Sequence, residues 1–276
     1  MSDNSKRIGK GFHRHASEYD QHAVVQKRVV ANLDRMIGNH CTSSPARLLD
    51  IGCGTGALTL AMKKRYPESK IFGLDLAYNM TLKAASRLGS DAVFVNGDAE
   101  QLPFKNNAFD LVVSASTFQW SNSLENCFGE CCRVLSEDGV FCTAFFGGRT
   151  LWELQESYRK ALTNRYSVED DRNSRLQRFR SKDDARQALE GLGFDKIIIA
   201  SEEELEFHPD VPDLLRAIKG IGASTTAKNN AGSGLGWRGV INDMANIYRS
   251  RYQSDGQIPA TYEVIYVVAR RGFGSL

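Results

Sequence analysis

Hydrophobic residues between positions 47 and 146 form short runs rather than long stretches. Five runs rich in Val, Ile, Leu and Phe alternate with segments whose apolar residues recur every three or four positions. Short, nearly continuous apolar runs are typical of strands buried on both faces, and the longer period is typical of helices that cover them. The pattern therefore predicts a parallel sheet with crossover helices. The predicted strands are Arg47–Ile51, Lys70–Leu74, Ala92–Val95, Asp110–Ser114 and Val140–Phe145.

Further elements are predicted on both sides of this unit. Lys196–Phe207 and Thr261–Ala269 predict two more strands, and two insertions, 147–180 and 209–260, follow the fifth and sixth strands. Ligands of open parallel sheets bind beyond the carboxyl ends of the strands, so these insertions are candidate lids. The chain is predicted to form a single domain, 1–276, that begins with N-terminal helices over 1–40. The predicted helices are one or two within Phe12–Met36, then Ala57–Arg65, Asn79–Leu88, Leu124–Leu135, Thr150–Asn164, Ser181–Leu192, Val211–Lys219 and Trp237–Tyr252.

Composition and charge exclude several classes of protein. The 276 residues are 42% hydrophobic and 25% charged, with a formal net charge of +2. This balance is typical of a globular protein and lacks the strong basicity of a nucleic-acid-binding domain. The sequence shows no apolar run of about 18 residues and no signal peptide, and its six cysteines show no metal-binding spacing. We therefore expect a cytoplasmic protein with no metal and no nucleic-acid or membrane partner.

A glycine-rich turn joins the first predicted strand to the first crossover helix. It reads Asp50-Ile51-Gly52-Cys53-Gly54-Thr55-Gly56. Glycines allow positive φ and leave room for a ligand, and the helix that follows offers free N–H groups at its N-terminus. The G-x-G-x-G spacing, with an acid two residues before the first glycine, differs from the G-x-G-x-x-G of dinucleotide folds. The turn predicts a ligand cradle.

Polar residues follow each of the next three strands. Asp75 ends the second strand, where a carboxylate can accept two ribose hydroxyls, as the equivalent acid does in dinucleotide folds. Asp98 follows the third strand and is suited to accept a hydrogen bond from the adenine amino group. The run from Ser114 to Trp120 follows the fourth and supplies hydroxyls and two aromatic rings. An ordinary turn or helix cap explains any one of these features, but together with the glycine turn they predict one binding site.

From Arg47 to Phe146 these motifs resemble those of the class I S-adenosylmethionine-dependent methyltransferases. The resemblance implies an α/β, Rossmann-like fold with a seven-stranded, mostly parallel sheet and an antiparallel last strand. It implies S-adenosylmethionine as cofactor, with Asp50 and the glycines around the methionine part, Asp75 at the ribose and Asp98 at the adenine. The implied cofactor-binding residues are Asp50, Gly52, Gly54, Gly56, Asp75, Leu76, Asp98, Ala99 and Ser114.

A closer resemblance covers most of the chain outside this core. Phe12–Gln26 is similar to the N-terminal signature of the malonyl-acyl-carrier-protein O-methyltransferases of biotin synthesis, and Phe118–Trp120, Thr150–Leu154 and Leu215–Ala223 are similar to later motifs of that family. The resemblance implies transfer of a methyl group to the free carboxylate of a malonyl thioester on acyl carrier protein, or on coenzyme A. Ser224–Gly236 departs from the family's pattern, so the role of that loop stays open.

A carboxylate acceptor needs alignment rather than a base. With a pKa near ~4 it is already ionised at neutral pH. Desolvation of this anion calls for a cation, and Arg149, next to Gly147 and Gly148, is the first candidate. The alternative is that Arg149 does not bind the acceptor and is an ordinary lid arginine that pairs with Glu153, four residues further on. Tyr19 is the candidate that closes the methyl-donor pocket, and an ordinary core tyrosine is the alternative.

Other residues are candidates for contact with the acceptor or its carrier. Gln119, Trp120 and Phe179 are the candidates for the acceptor pocket. Acyl carrier proteins are acidic, so Arg216, Lys219 and a basic stretch are candidates for docking through complementary charge, although a solvated helix face explains each of them as well. The stretch comprises Arg165, Arg172, Arg175, Arg178, Arg180 and Lys182.

Other functions stay open at this point. The core motifs also permit a methyltransferase that acts on a free small molecule, such as a quinone precursor or a small carboxylic acid. A non-catalytic interaction protein that keeps the cofactor fold is a second alternative, although the glycine turn and its acids are intact. An RNA methyltransferase is a weaker alternative because the chain shows no appended RNA-binding module.

Overall fold

The computed structural model describes residues 3–16, 19–41, 43–166, 179–221 and 235–272. Within these ranges the chain forms seven strands and ten α-helices around one sheet. The strands are β1 (Arg47–Ile51), β2 (Lys70–Asp75), β3 (Ala92–Asn96), β4 (Phe109–Ala115), β5 (Leu135–Phe146), β6 (Phe194–His208) and β7 (Ile258–Arg271). The helices are α1 (Asp3–His15), α2 (Tyr19–His22), α3 (Val24–His40), α4 (Ala57–Arg65), α5 (Tyr78–Leu88), α6 (Leu124–Val134), α7 (Trp152–Tyr166), α8 (Lys182–Leu189), α9 (Val211–Gly220) and α10 (Leu235–Tyr252).

The sheet has the order β3-β2-β1-β4-β5-β7-β6. β1 pairs in parallel with both β2 and β4, and β7 pairs antiparallel to β5 and β6. This confirms the predicted mostly parallel sheet with an antiparallel last strand. Because the strand order reverses direction at β1, the crevice for a ligand opens beyond the carboxyl ends of β1 and β4.

Apolar side chains fill both faces of the sheet. On one face α3 and α4 bury Leu33 and Met62 in the same cluster as Leu111 of β4. On the other face Phe128 of α6 packs edge to face on Phe141 of β5, with ring centroids 5.2 Å apart. The central strands are therefore covered on both sides, as their continuous apolar runs predict.

Side-chain caps set the beginning of several helices. The Ser181 hydroxyl accepts a hydrogen bond from the Asp184 N–H, and the Asp184 carboxylate accepts one from the Ser181 N–H, which forms a capping box at α8. Asp210 accepts a hydrogen bond from the N–H of Asp213 and caps α9. Helices α7, α9 and α10 belong to the two predicted insertions, and α10 packs on both of the others. Within the described ranges, no helix is both long enough and apolar enough to cross a bilayer.

The N-terminal region differs in detail from its prediction. Phe12–Met36 predicts one or two helices, and the structure has three, α1 to α3. The four-residue helix α2 precedes α3, from which only Ala23 separates it. The Ser224–Gly236 loop lies almost entirely outside the described residues.

Candidate functional site

The glycine turn forms a tight bend at the carboxyl end of β1. The N–H groups of Gly52 and Cys53 both donate to the Leu74 carbonyl oxygen, at 2.6 and 3.0 Å. All three glycines have positive φ, between +53° and +85°. A Cβ on Gly52 would collide with Thr117, and one on Gly56 would press on α5, whereas a Cβ on Gly54 would meet nothing within 4 Å. Gly54 is therefore the glycine with open space above it, while Gly52 and Gly56 allow close packing within the protein.

A cavity that is open to solvent lies over this bend. Asp75, at the end of β2, lines it and is held on both carboxylate oxygens: Oδ2 accepts from the N–H of Gly54 at 2.9 Å and Oδ1 from the N–H of Ala77 at 2.8 Å. Burial raises the pKa of Asp75, although these two backbone hydrogen bonds oppose the shift. The carboxylate is thus fixed in position with lone pairs that face the cavity, as the prediction of a ribose-binding acid requires.

The end of β3 and helix α5 form the next part of the same cavity. Asp98, Ala99, Leu76 and Met80 line it, so the predicted residues Leu76, Asp98 and Ala99 come together here. The Oδ1 atom of Asp98 accepts a hydrogen bond from the Glu100 N–H at 3.1 Å, which fixes the carboxylate at the cavity wall. An apolar surface beside a fixed acceptor suits a flat base with an amino group.

A second cavity adjoins the first and shares Tyr19, Gly52 and Gly54 with it. Asp50 lines this cavity from the end of β1 and is almost fully buried. Its Oδ2 atom accepts from the Thr59 hydroxyl at 2.6 Å, whereas its buried Oδ1 atom has no hydrogen-bond partner. A buried carboxylate oxygen without a partner is costly and marks a place for a donor or a cation.

The N-terminal helices close the cavities from above. Ile8, Phe12 and Tyr19 line the first cavity, and Tyr19 lines both. The Phe12 ring packs edge to face between Tyr19 and Trp120, with centroids 6.3 and 5.8 Å away. Burial, together with the charges of Asp75 and Asp20, raises the pKa of Tyr19, so its hydroxyl stays neutral at physiological pH. Ile8 and Phe12 are not among the site residues predicted from the sequence. The only sequence signal for their common position is their i, i+4 spacing on α1.

Two predicted residues lie behind the cavity wall rather than in it. Ser114 is fully buried, and its hydroxyl donates to the Ile51 carbonyl oxygen at 2.8 Å. Gln119 is also buried, and its side-chain amide donates to the Ser116 carbonyl oxygen at 2.7 Å. Trp120 and Ser116, from the same run, do line the first cavity. Ser114 and Gln119 thus connect the strand ends and support the wall, and Ser116 takes the position at the cavity expected for Ser114.

Arg149 lies outside the lining of both cavities. Its side chain is exposed, its Nε donates to the Glu203 carboxylate at 2.6 Å and its guanidinium carbon lies 5.6 Å from the Trp152 ring centroid. The alternative pairing with Glu153 is wrong because Glu153 is buried and accepts hydrogen bonds from Thr261 instead.

The other predicted acceptor and docking residues are spread over the insertions. Arg216 and Lys219 are exposed on α9, and Arg216 donates to the Asp213 carboxylate at 3.0 Å. Phe179 is half-buried and packs against the core rather than into either cavity. Arg165 pairs with Asp243. Arg172, Arg175 and Arg178 of the basic stretch lie outside the described residues.

The residues present fit S-adenosylmethionine. Asp75 and Asp98 offer fixed carboxylate oxygens for hydroxyl and amino donors. The unpartnered oxygen of Asp50 suits a cationic group, and the open space at Gly54 leaves room for a ligand that extends between the two cavities.

Comparison with known proteins agrees with this fit. Residues 49–143 match the family model described as a methyltransferase domain. The fold is similar to that of phosphoethanolamine N-methyltransferase 2 of Haemonchus contortus, solved with S-adenosylhomocysteine, with a TM-score of 0.54, 18% identity and coverage of 87% of this chain and 52% of that one. The fold, the domain match and the site together place this chain in the class I S-adenosylmethionine-dependent methyltransferases.

Relatives that match almost the whole chain show to which family within this class it belongs. The chain is 43% identical over 268 residues to malonyl-[acyl-carrier protein] O-methyltransferase of Geobacter sulfurreducens, with 96% of this chain and 98% of that one covered. It is 35% identical over 221 residues to the mitochondrial arginine-hydroxylase NDUFAF5 of Homo sapiens, with 80% and 62% covered. The chain belongs to the malonyl-[acyl-carrier protein] O-methyltransferase family. These two relatives bear the names of different activities, so the identity of the acceptor is considered separately below.

Asp50 predicts a pH dependence of cofactor binding. Burial raises its pKa to about 7, against the Thr59 hydrogen bond and with help from the charge of Asp75. A cationic ligand favours the ionised form, so we expect the affinity for S-adenosylmethionine to fall by up to about tenfold per pH unit as pH drops below about 7. Calorimetric titrations between about pH 6 and pH 8 would measure this slope. In Asp50→Asn the slope should be flatter, and an identical slope in both proteins would contradict the assignment.

The same carboxyl group affects the stability of the free protein with a defined sign. Its folded pKa, about 7, lies above the ordinary aspartate value of 3.8, so the folded state binds the proton more tightly than the unfolded state. The resulting stabilisation is fully present below pH ~4 and is lost as pH rises through about 7. Asp50→Asn should remove this part of the pH dependence of the free energy of unfolding.

Proposed function

We propose that this protein transfers the methyl group of S-adenosylmethionine to the free carboxylate of a malonyl thioester on acyl carrier protein. The product is the malonyl methyl ester that primes pimeloyl synthesis for biotin, and we place the reaction in the cytoplasm. The observation that carries this proposal is the 43% identity, over 96% of this chain, to malonyl-[acyl-carrier protein] O-methyltransferase of Geobacter sulfurreducens. A carboxylate acceptor with a pKa near ~4 is already ionised at neutral pH, so none of the carboxyl groups that line the cavities has to act as a base.

The cofactor, when bound, supplies an electrophilic methyl group on a sulfonium. The chain's own task is to hold and align the two reactants. Asp75, Asp98 and the bend at Gly54 fix the donor side, while the rings of Phe12, Tyr19 and Trp120 exclude water. Holding two reactants about 3–3.5 Å apart in the right orientation can supply several kcal/mol of the barrier.

We propose Arg149 as the cation that receives the acceptor carboxylate. It follows β5 directly, at the carboxyl end of the sheet where the cavities open. Its ion pair with Glu203 is exposed on both sides, and water screens such pairs, so an incoming carboxylate can replace Glu203 without a large loss of stability. The planar guanidinium can bind the new carboxylate with two hydrogen bonds.

We propose that acyl carrier protein docks on the exposed basic face of α9. Arg216 and Lys219 point away from the core on this helix, and complementary charge would bring an acidic carrier to the lid. The malonyl group would then enter from the rim of the first cavity. Malonyl-coenzyme A shares the malonyl thioester but lacks the protein surface, so it tests whether the carrier is needed.

The acceptor can be identified with purified protein and three acceptors in parallel. We expect mass spectrometry to detect the methyl ester on malonyl-acyl carrier protein, less of it on malonyl-coenzyme A, and none on free malonate. A protein that binds S-adenosylmethionine and methylates neither thioester would refute the proposed acceptor and favour a free small-molecule acceptor or a non-catalytic role.

A matched pair of variants tests the role of Arg149 in the same assay. Arg149→Gln should raise the KM for the malonyl thioester about tenfold, the ratio expected for the loss of one charge-assisted contact, and leave the Kd for S-adenosylmethionine unchanged. Arg251→Gln is the control, because Arg251 also pairs with a glutamate, Glu156, on the surface of the lid helices. Equal effects of the two variants would show that Arg149 acts only through surface charge.

A further inference from the structure

The short helix α2 holds Tyr19 over both cavities, yet little in the helix itself fixes its position. It has four residues, Tyr19–His22, and although Tyr19 is half-buried, none of them is fully buried. A single turn of helix is not stable on its own hydrogen bonds, because nucleation of the turn is unfavourable. One residue, Ala23, joins α2 to α3, and its N–H donates to the Tyr19 carbonyl oxygen at 2.9 Å. The position of Tyr19 over the cavities therefore depends on this junction and on contacts from side chains to the rest of the protein.

Asp20 makes two of these contacts with its carboxylate. Its Oδ1 atom accepts from the Thr55 hydroxyl at 2.7 Å, and its Oδ2 atom accepts from Nη2 of Arg87 at 2.5 Å. Lys27 adds a hydrogen bond to the Asp20 carbonyl oxygen at 2.7 Å. Burial alone would raise the pKa of Asp20, but the Thr55 hydrogen bond and the Arg87 charge outweigh it, so the group is ionised at neutral pH.

The partners of Asp20 belong to the part of the molecule that holds the cofactor. Thr55 lies inside the glycine bend, between Gly54 and Gly56, and Arg87 lies in the last turn of α5. Asp20, Thr55 and Arg87 all line the second cavity. One carboxylate therefore joins the bend beneath the ligand to the helix that carries the covering tyrosine.

We propose that Asp20 is a positioning residue that fixes Tyr19 over the bound cofactor by linking α2 to the glycine bend. This inference rests on S-adenosylmethionine binding at these cavities and not on the identity of the acceptor. With the link broken, α2 loses its anchor to the glycine bend, Tyr19 is held less firmly where the two cavities adjoin, and the cofactor dissociates faster. The fold as a whole depends little on the link, because the side chains of Arg87 and Asp20 are about a third exposed, at 36% and 37%.

The chain offers a matched control for this ion pair. Asp34 of α3 receives two hydrogen bonds from Arg65 of α4, at 2.7 and 2.9 Å, with similar exposure of both side chains. This pair also joins an N-terminal helix to a crossover helix, but neither residue lines the two cavities. Asp34→Asn therefore removes an equivalent ion pair without touching the proposed link.

The test uses the full chain and calorimetric titration with S-adenosylhomocysteine and S-adenosylmethionine. We expect Asp20→Ala to weaken both affinities about tenfold, the ratio that corresponds to one charge-assisted hydrogen bond, and Asp20→Asn, which keeps an acceptor for Thr55, to weaken them less. Asp34→Asn should bind as the wild type does. Circular dichroism melting should show similar thermal stability for Asp20→Asn and Asp34→Asn.

A double-variant cycle separates positioning from a general effect on stability. Because Asp20 acts through Tyr19, Asp20→Ala should add little to the loss of affinity already caused by Tyr19→Ala. Additive losses, or equal losses in Asp34→Asn and Asp20→Asn, would overturn the proposal. Wild-type protein that does not bind S-adenosylhomocysteine would overturn it together with the cofactor site, whereas normal binding with no methylation of a malonyl thioester would count only against the proposed acceptor.

Discussion

Replacement of Gly54 by valine should abolish detectable binding of S-adenosylmethionine while the chain remains folded. A Cβ at this position would meet no atom of the surrounding structure within 4 Å, so a side chain there would extend into the space above the bend. Gly54 also has a φ of +53°, which a β-branched residue adopts only with strain of about 1–2 kcal/mol. The backbone strain lowers the stability of the fold, whereas the valine side chain blocks the space that the ligand would occupy. Calorimetric titration with S-adenosylmethionine and thermal melting measure the two effects separately.

Gly256 provides the control for this substitution. It has a φ of +78°, a Cβ added there would meet nothing within 4 Å, and it lies in the turn between α10 and β7, away from both cavities. Gly256→Val should therefore lower the melting temperature to a similar extent and leave the Kd for S-adenosylmethionine unchanged. Binding by Gly54→Val within about tenfold of the wild-type affinity would show that the ligand does not occupy the space over the bend.

Replacement of Asp75 by asparagine should weaken the binding of S-adenosylmethionine about 100-fold, because it disturbs the glycine bend and also removes hydrogen bonds to the ligand. Both carboxylate oxygens accept backbone N–H groups, from Gly54 and from Ala77, so either orientation of an asparagine amide brings its NH₂ against one of these donors. The variant therefore disturbs the bend and also loses charge-assisted hydrogen bonds to the ribose, at about 1.5 kcal/mol for each of two. The Kd from calorimetry is the direct measurement.

Asp110 is the control for Asp75 because it accepts similar hydrogen bonds at the opposite end of the sheet. Its Oδ2 atom accepts the N–H groups of Ala46 and Arg47, both at 2.9 Å. Asp110→Asn should lower stability and leave cofactor affinity unchanged. If Asp75→Asn keeps wild-type affinity, or if Asp110→Asn loses as much as Asp75→Asn, the ribose assignment is wrong.

The sheet was the part of the fold most accessible from the sequence. β1 and α4 have the predicted bounds because an apolar run and a glycine turn define their ends sharply. β5 was predicted from Val140 but begins at Leu135, because Ser136 and Glu137 are polar residues that extend an exposed end of the strand. Periodicity reports burial, so an exposed strand end leaves little signal in the sequence.

The sequence predicts the N-terminal helices and the roles of single residues less well. Phe12–Met36 predicts one or two helices, and the sequence does not show that α2 is separate from α3 or that Asp20 contacts Thr55, because these two residues are distant in sequence. Alternation along β4 does not by itself tell which hydroxyl faces the ligand, and the Ser114 hydroxyl donates to Ile51 while Ser116 lines the cavity. Gly56 looked like part of the cradle, but the close approach of α5 explains it.

The position of β7 has a consequence for how the molecule is made. β7 follows β6 in the chain, yet it lies between β5 and β6, and β6 pairs with no strand except β7 among the described residues. A ribosome-bound chain that has not yet reached Ile258 therefore contains a long strand with no partner. Completion of the sheet must wait for β7 to leave the ribosome. The emergence of β7 is thus the step at which the N–H and C=O groups on the free edge of β5, and on the edge of β6 that faces β7, are protected from association with other chains.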